Sequence, residues 1–246
     1  MALSDHRLDS DVRASGTPAG PGGAPNGAPA GDGPGVLDVA AVRKRFPILE
    51  RQVHGRRLVY LDSASSSQKP TSVLDAMTHY YETTHANVHR GVYTIAEEAT
   101  RLYEAARSRV ARFIGAPGPS GVVFTKNVTE AVNLVAYAWG RANLAEGDVV
   151  VLTEMEHHAN LVPWLMLREE RGIELRYLPV ADDFTLDLSR LDEVVDGAKL
   201  VSFTAVSNVL GTINPVRQIV DAAHAAGALT LVDGAQHSPH LPTDVA

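Results

Sequence analysis

Ala228-Leu229-Thr230-Leu231-Val232-Asp233-Gly234-Ala235-Gln236 is a short apolar run that stops at an acid. A run of this length, closed by Asp-Gly, predicts a parallel strand covered on both faces. Asp233 then stands at the carboxyl end of the strand, the edge at which open α/β sheets bind ligands. Either it caps the following turn, or it holds a positive charge against an apolar wall. The rest of the chain decides between these.

Immediately upstream, Pro215 to Ala226 reads as a helix with proline at its start and Gly227 at its end. Before it come a strand at Ala198–Thr204 and a helix at Ser189–Val195. Further upstream lie a strand at Glu174–Leu178, a helix from Asn160 to about Arg171 and a strand at Asp148–Leu152. Earlier still are a helix at Thr129–Trp139 and a strand at Gly121–Thr125. Strands alternating with helices predict a doubly wound, mostly parallel α/β sheet. The right-handed crossover rule puts the strand-to-helix loops on one edge. A long amphipathic helix is expected over Ile95–Ile114 and another over Pro70 to about Thr84. A short strand is expected at Arg57–Asp62, and a helix over Val36–Phe46 that Pro47 stops.

Residues 1 to about 35 differ in kind. Ala14–Gly35 is almost wholly Ala, Gly, Pro, Ser, Thr, Asn and Asp. Such a composition cannot offset its ordering entropy, and a disordered tail is expected. Its glycines match no phosphate loop, since no strand precedes them and no Gly-Lys-Ser/Thr follows. The chain has 246 residues, 45% of them apolar, which is enough for a substantial core. A net charge of −7 argues against nucleic acid as a partner. No apolar run reaches the roughly 18 residues of a membrane helix. No secretory signal pattern opens the chain, so a cytoplasmic protein is expected. The residues include no cysteine, which excludes disulfides and zinc–thiolate sites among them.

Four strand-end loops carry the chemistry. Thr125-Lys126-Asn127-Val128-Thr129-Glu130 opens a helix whose free N–H groups suit a phosphate, with the Thr129 hydroxyl beside them; a plain cap is the alternative. Glu154-Met155-Glu156-His157-His158-Ala159-Asn160 holds a histidine pair. Adjacent residues point apart and no third ligand has a useful spacing, so a metal is not expected. An imidazole here can instead stack on a flat heteroaromatic ring. Val206-Ser207-Asn208-Val209-Leu210-Gly211 offers Asn208 to a ring oxygen or a substrate carboxylate, or simply forms a turn. Asp233 and Gln236 complete the set. An anion hole, a stacking ring, an amide and a carboxylate on one sheet edge are what pyridoxal phosphate requires.

The chain resembles the N-terminal part of a SUF-type (group II) cysteine desulfurase, a class V aminotransferase-like enzyme. The resemblance rests on Tyr60-Leu61-Asp62-Ser63-Ala64, Gln68-Lys69-Pro70, Val88-His89-Arg90-Gly91, Met155–Asn160, Val206–Gly211 and Val232–Gln236. It implies the large domain of a fold type I enzyme over residues 36–246, truncated before the C-terminal domain. It also implies pyridoxal 5′-phosphate as cofactor, with His157 stacked on the ring and Asp233 paired with the pyridinium nitrogen. Gln236 would touch the ring hydroxyl. Val128 and Thr129 would hold the phosphate, although the family usually has threonine where Val128 stands. Arg90 would bind substrate, and Asn208 would bind either the substrate carboxylate or the ring oxygen.

The implied reaction converts L-cysteine to L-alanine and hands the sulfur, as a persulfide, to an acceptor protein for iron–sulfur assembly. A homodimer is implied for the full-length form. The family's Schiff-base lysine lies just past the Asp-Gly-Ala-Gln block, and its nucleophilic cysteine lies farther on. Neither is present here, because Lys44, Lys69, Lys126 and Lys199 all sit in other contexts. The expectation is therefore a chain inactive by itself. Another class V enzyme, such as a selenocysteine lyase or a kynureninase-like enzyme, or a non-catalytic truncated paralogue, is the alternative.

Overall fold

The structure is a computed structural model that describes residues 37–246. The expected disordered tail lies outside the described residues. The chain divides at Val42 into two units. In the first, Asp38 caps the start of helix α1 (Val39–Lys44), its Oδ1 accepting the Ala41 N–H at 2.9 Å.

The second unit, Arg43–Ala246, holds the sheet. A single 3₁₀ turn at Pro47–Glu50 leads into an antiparallel ribbon, β1 (Gln52–Val53) and β2 (Arg56–Arg57). His54 and Gly55, at φ +52° and +71°, form its two-residue turn, which needs left-handed backbone at both positions. Helices α2 (Thr71–Thr83) and α3 (Thr94–Phe113) follow within one residue of the bounds their apolar spacing predicts. Helix α4 (Val128–Val135) widens to a π turn at Ala136–Gly140 and runs on into α5 (Arg141–Asn143). Then come β3 (Val149–Thr153), α6 (His158–Arg171), β4 (Glu174–Leu178) and α7 (Leu191–Val195). The chain continues through β5 (Ala198–Thr204), α8 (Val216–Ala225) and β6 (Leu229–Asp233).

The four long strands are parallel in the order β4-β3-β5-β6. The chain leaves β3 for β4 on one side and then returns past it to lay down β5 and β6. The strand order thus reverses between β3 and β5, and the crevice beyond their carboxyl ends is the expected ligand position. Both faces of the sheet are covered. Along β3, Val149 and Val151 pack with Val195, Ile219 and Ala223 of α7 and α8. Val150 and Leu152 face the opposite layer, with Val132, Trp164 and Leu167 of α4 and α6. Each such side chain withdrawn from water contributes about 1.5–3 kcal/mol before ordering entropy is subtracted. Gly140 lets the π turn approach α6, since a Cβ there would lie 2.8 Å from Leu167 Cδ1.

Two expectations fail for one reason. Arg57–Asp62 pairs only at Arg56–Arg57, and Val59 and Leu61 beyond it are exposed. Gly121–Thr125 is not a strand: Pro119–Gly121 forms a 3₁₀ turn, and the Val122 carbonyl accepts from Arg107 Nη1 instead of from a ladder. A strand exists only beside another strand, and among the described residues neither Leu58–Asp62 nor Gly121–Thr125 has one. β6 in turn is not covered on both faces. It is the last strand of the described sheet, with Leu229 53% exposed and only Asp233 buried.

Candidate functional site

Asp233 is the last residue of β6, in register with Thr204 of β5, and its side chain is buried. Its carbonyl continues the ladder by accepting the Ala205 N–H at 2.9 Å. Oδ1 accepts the Ala235 N–H at 2.9 Å, the turn bond that a plain capping aspartate makes. One oxygen thus holds the turn, and the other, Oδ2, has no partner among the described residues.

Three residues on, Gln236 donates through Nε2 to the Ala64 carbonyl at 2.9 Å. That bond brings the small-residue turn Asp62–Ser67 to the sheet edge, and leaves Gln236 its oxygen. Ala64, Asn208, Gln236 and His240 line one open groove. Asn208 itself is exposed at the tip of a loop closed by the Val206–Ile213 bridge. The Ser207 hydroxyl oxygen accepts the N–H groups of Val209 and Leu210 and stiffens the loop from within, so Asn208 is free of that task.

His157 is exposed and caps α6, with Nδ1 accepting the Ala159 N–H at 3.0 Å. An accepting Nδ1 leaves the neutral ring its proton on Nε2 and fixes the ring's direction. His158 lies 6.2 Å away, centroid to centroid. Among the described residues, no three His, Cys, Asp or Glu side chains gather as metal ligands.

At the start of α4, Asn127 and Glu130 form a reciprocal cap. Asn127 Oδ1 accepts the Glu130 N–H at 2.9 Å, and Glu130 Oε2 accepts the Lys126 N–H at 2.5 Å. The Val128 and Thr129 N–H groups carry no bond among the described residues. With the exposed Thr129 hydroxyl they leave the anion-binding end of the helix open. The cap and the phosphate reading are compatible, because they use different N–H groups.

His89 and Arg90 lie between α2 and α3. His89 Nε2 pairs with Glu104 of α3 at 3.3 Å and its ring meets Tyr103 edge-on. Arg90 is exposed and has no ion-pair partner among the described residues.

One residue carried no role in the sequence. Glu156, between β3 and α6, turns inward while His157 turns outward. Burial raises its carboxyl above the ordinary glutamate value of 4.5, opposed by hydrogen bonds from Thr153, Asn160 and Thr204 and assisted by the Asp233 charge. A Glu–Asn pair four apart at a helix start was its only signal in the chain.

A pyridine ring with a phosphate arm fits this donor set. It asks for a carboxylate at the ring nitrogen, which the free Asp233 oxygen supplies. It also asks for unpaired N–H groups at the phosphate, which the start of α4 supplies.

Residues 59–246 match the family described as aminotransferase class-V. The chain is 54% identical over 218 residues to a probable cysteine desulfurase of Streptomyces coelicolor, covering 86% of this chain and 52% of that protein. It is 50% identical over 208 residues to a cysteine desulfurase of Serratia proteamaculans, covering 84% and 51%. Among solved structures, the apo cysteine desulfurase of Thermococcus onnurineus aligns with a TM-score of 0.79 and 38% identity, over 86% of this chain and 51% of that one. A cysteine desulfurase of Escherichia coli aligns with a TM-score of 0.73 and 36% identity, over 86% and 52%. The chain spans about half the length of the curated relatives it matches.

Proposed function

The chain belongs to the aminotransferase class-V family, and on that premise we propose that the whole protein is a pyridoxal 5′-phosphate-dependent cysteine desulfurase. Its substrate is L-cysteine, its products are L-alanine and a persulfide, and the sulfur goes to an acceptor protein for iron–sulfur cluster assembly in the manner of the SUF system. The observation that carries this is Asp233: buried at the end of β6, with one carboxylate oxygen spent on its turn and the other unpaired.

Bound at this edge, the cofactor supplies an electron sink for the substrate's α-carbon. The chain's own residues hold and orient it. Asp233 would keep the ring nitrogen protonated. His157, its ring fixed by the Ala159 N–H, would stack on the ring. Val128 and Thr129 would bind the phosphate through two backbone N–H groups and a hydroxyl. Gln236, its N–H held by Ala64, would meet the ring hydroxyl through its oxygen. Asn208 takes the ring oxygen or the substrate carboxylate, and Arg90 serves the substrate carboxylate. The 246 residues include no cysteine to accept sulfur, so they form the cofactor-holding part of the site and do not turn over by themselves. The full-length protein works as a cytoplasmic homodimer. Val92, Leu61 and Val209, at 95%, 90% and 81% exposure, leave apolar surface for such a contact.

The test is product analysis. The full-length protein should release alanine and sulfide from L-cysteine in the presence of a thiol, and the 246-residue chain should release neither. Preferred turnover of L-selenocysteine, or of kynurenine, by the full-length protein would contradict the assignment.

A further inference from the structure

We infer that Glu156 is a positioning residue of the candidate site, holding the His157 turn, the end of β5 and Asp233 in one fixed relation; this deepens, and rests on, the reading above.

Glu156 precedes His157 and spends both carboxylate oxygens inside the protein. Oε1 accepts the Thr153 hydroxyl at 2.5 Å and the Thr204 backbone N–H at 2.9 Å, and Oε2 accepts from Asn160 Nδ2 at 2.7 Å. Thr153 ends β3, Thr204 ends β5 and Asn160 lies in the first turn of α6. One side chain therefore joins the three elements that meet where the strand order reverses.

The fastening continues inward. Asn160 is fully buried, and its Oδ1 accepts from Ser202 Oγ at 2.6 Å and from Trp164 Nε1 at 3.4 Å. A polar chain so fully satisfied fixes one arrangement, since any slip leaves a buried donor unpaired. The Asn160 N–H also donates to the His157 carbonyl at 2.8 Å, so the turn carrying the ring is held from both sides.

Charge adds a second role. Thr204 is the register partner of Asp233, so Glu156 and Asp233 act at the ends of neighbouring strands. Against the Glu156 carboxylate, β3, β5 and α6 present only the uncharged Thr153, Thr204 and Asn160, while β6 presents Asp233. Among the described residues no Lys, Arg or His pairs with either carboxylate. A cation at the free Asp233 oxygen is then held by the field of two carboxylates, which favours a protonated ring nitrogen more than one would.

The two roles separate by mutation. Glu156→Gln keeps the size and most of the bonds: its oxygen can face Thr153 and Thr204, while its NH₂ meets Asn160 Nδ2 without a bond. It removes the charge and, because Asn160 Oδ1 must keep facing Ser202 and Trp164, one bond of the fastening as well. Glu156→Ala removes charge and the whole fastening together. The experiment uses the full-length protein and pyridoxal 5′-phosphate labelled with ¹⁵N in the ring. Expected for Glu156→Gln is a smaller loss of melting temperature than for Glu156→Ala, with the bound ring nitrogen losing its proton about one pH unit lower. Its dissociation constant for the cofactor should rise roughly tenfold, the factor that 1.4 kcal/mol makes. Glu156→Asp, which restores the charge, should recover the nitrogen midpoint. In the cofactor-free protein, Glu156→Ala should shift the His157 ring ¹³C signals. Parent-like nitrogen midpoint and affinity in Glu156→Gln would overturn the charge role, and unmoved His157 signals in Glu156→Ala would overturn the positioning role. A parent protein that takes up no pyridoxal phosphate would defeat the functional reading instead, and the His157 signals would still decide the positioning.

Discussion

At Asp233 and Glu156, two carboxylates a few residues from a sheet edge are treated differently by their surroundings. Asp233 keeps an oxygen free, whereas Glu156 has none to spare. The raised carboxyl of Glu156 makes a pH prediction with a definite sign. Its folded value lies above its unfolded value, so protonation favours the folded state. That stabilisation is complete below pH 4.5 and is lost as pH rises through the raised value. Glu156→Gln does not titrate. The stability of the parent relative to this variant should therefore fall as pH increases above 4.5, measured by urea unfolding at a series of pH values. A constant difference would show that Glu156 is not perturbed. Asp183 and Asp187 work in the opposite sense: bonds from Thr185 and Ser189 lower their carboxyls below 3.8, so what they contribute is lost only in stronger acid. Asp233 was legible from the sequence because a strand-ending acid has a recognisable pattern. Glu156 was not, because its meaning depends on Thr204, 48 positions away in the chain.

At the scale of elements, the start of α4 makes the next predictions. Asn127→Ala removes the cap on the Glu130 N–H and should lower stability by about 1 kcal/mol. Thr129→Ala leaves the cap intact, so it should leave the melting temperature within a degree or two while weakening cofactor retention, measured by equilibrium dialysis. Equal losses of stability in the two variants would show that Thr129 serves the helix and not a ligand. In the core, Leu152→Ala should lower stability by about 2–5 kcal/mol, because both helical layers close on β3 and cannot collapse into the gap. The helices were readable one by one, since a 3.6-residue period is a local property: α3 lies within one residue of its expected span, and α6 starts two residues before its own. β3 and β5 were readable for the same reason, as dense apolar runs. Arg57–Asp62 and Gly121–Thr125 have a strand's composition without a partner strand, and pairing is not a local property.

For the whole molecule, the chain covers about half of each relative, and its surface is consistent with a larger assembly. The β6 edge is unpaired among the described residues, and Val59, Leu61, Val92 and Val209 stand well exposed. An open edge beside apolar surface invites association. The 246-residue chain alone should therefore elute as a broad, associating species in size exclusion with light scattering, whereas the full-length protein should be a discrete dimer. A monodisperse monomer with a sharp cooperative melt would contradict this. The proposed role of Asp233, holding the protonated ring of pyridoxal phosphate in a cysteine desulfurase, is decided by measuring alanine and sulfide released from L-cysteine by the full-length protein and by its Asp233→Ala variant, both loaded with the cofactor. Turnover is expected from the parent, with a loss of at least about a hundredfold in the variant; full activity in Asp233→Ala would rule the role out.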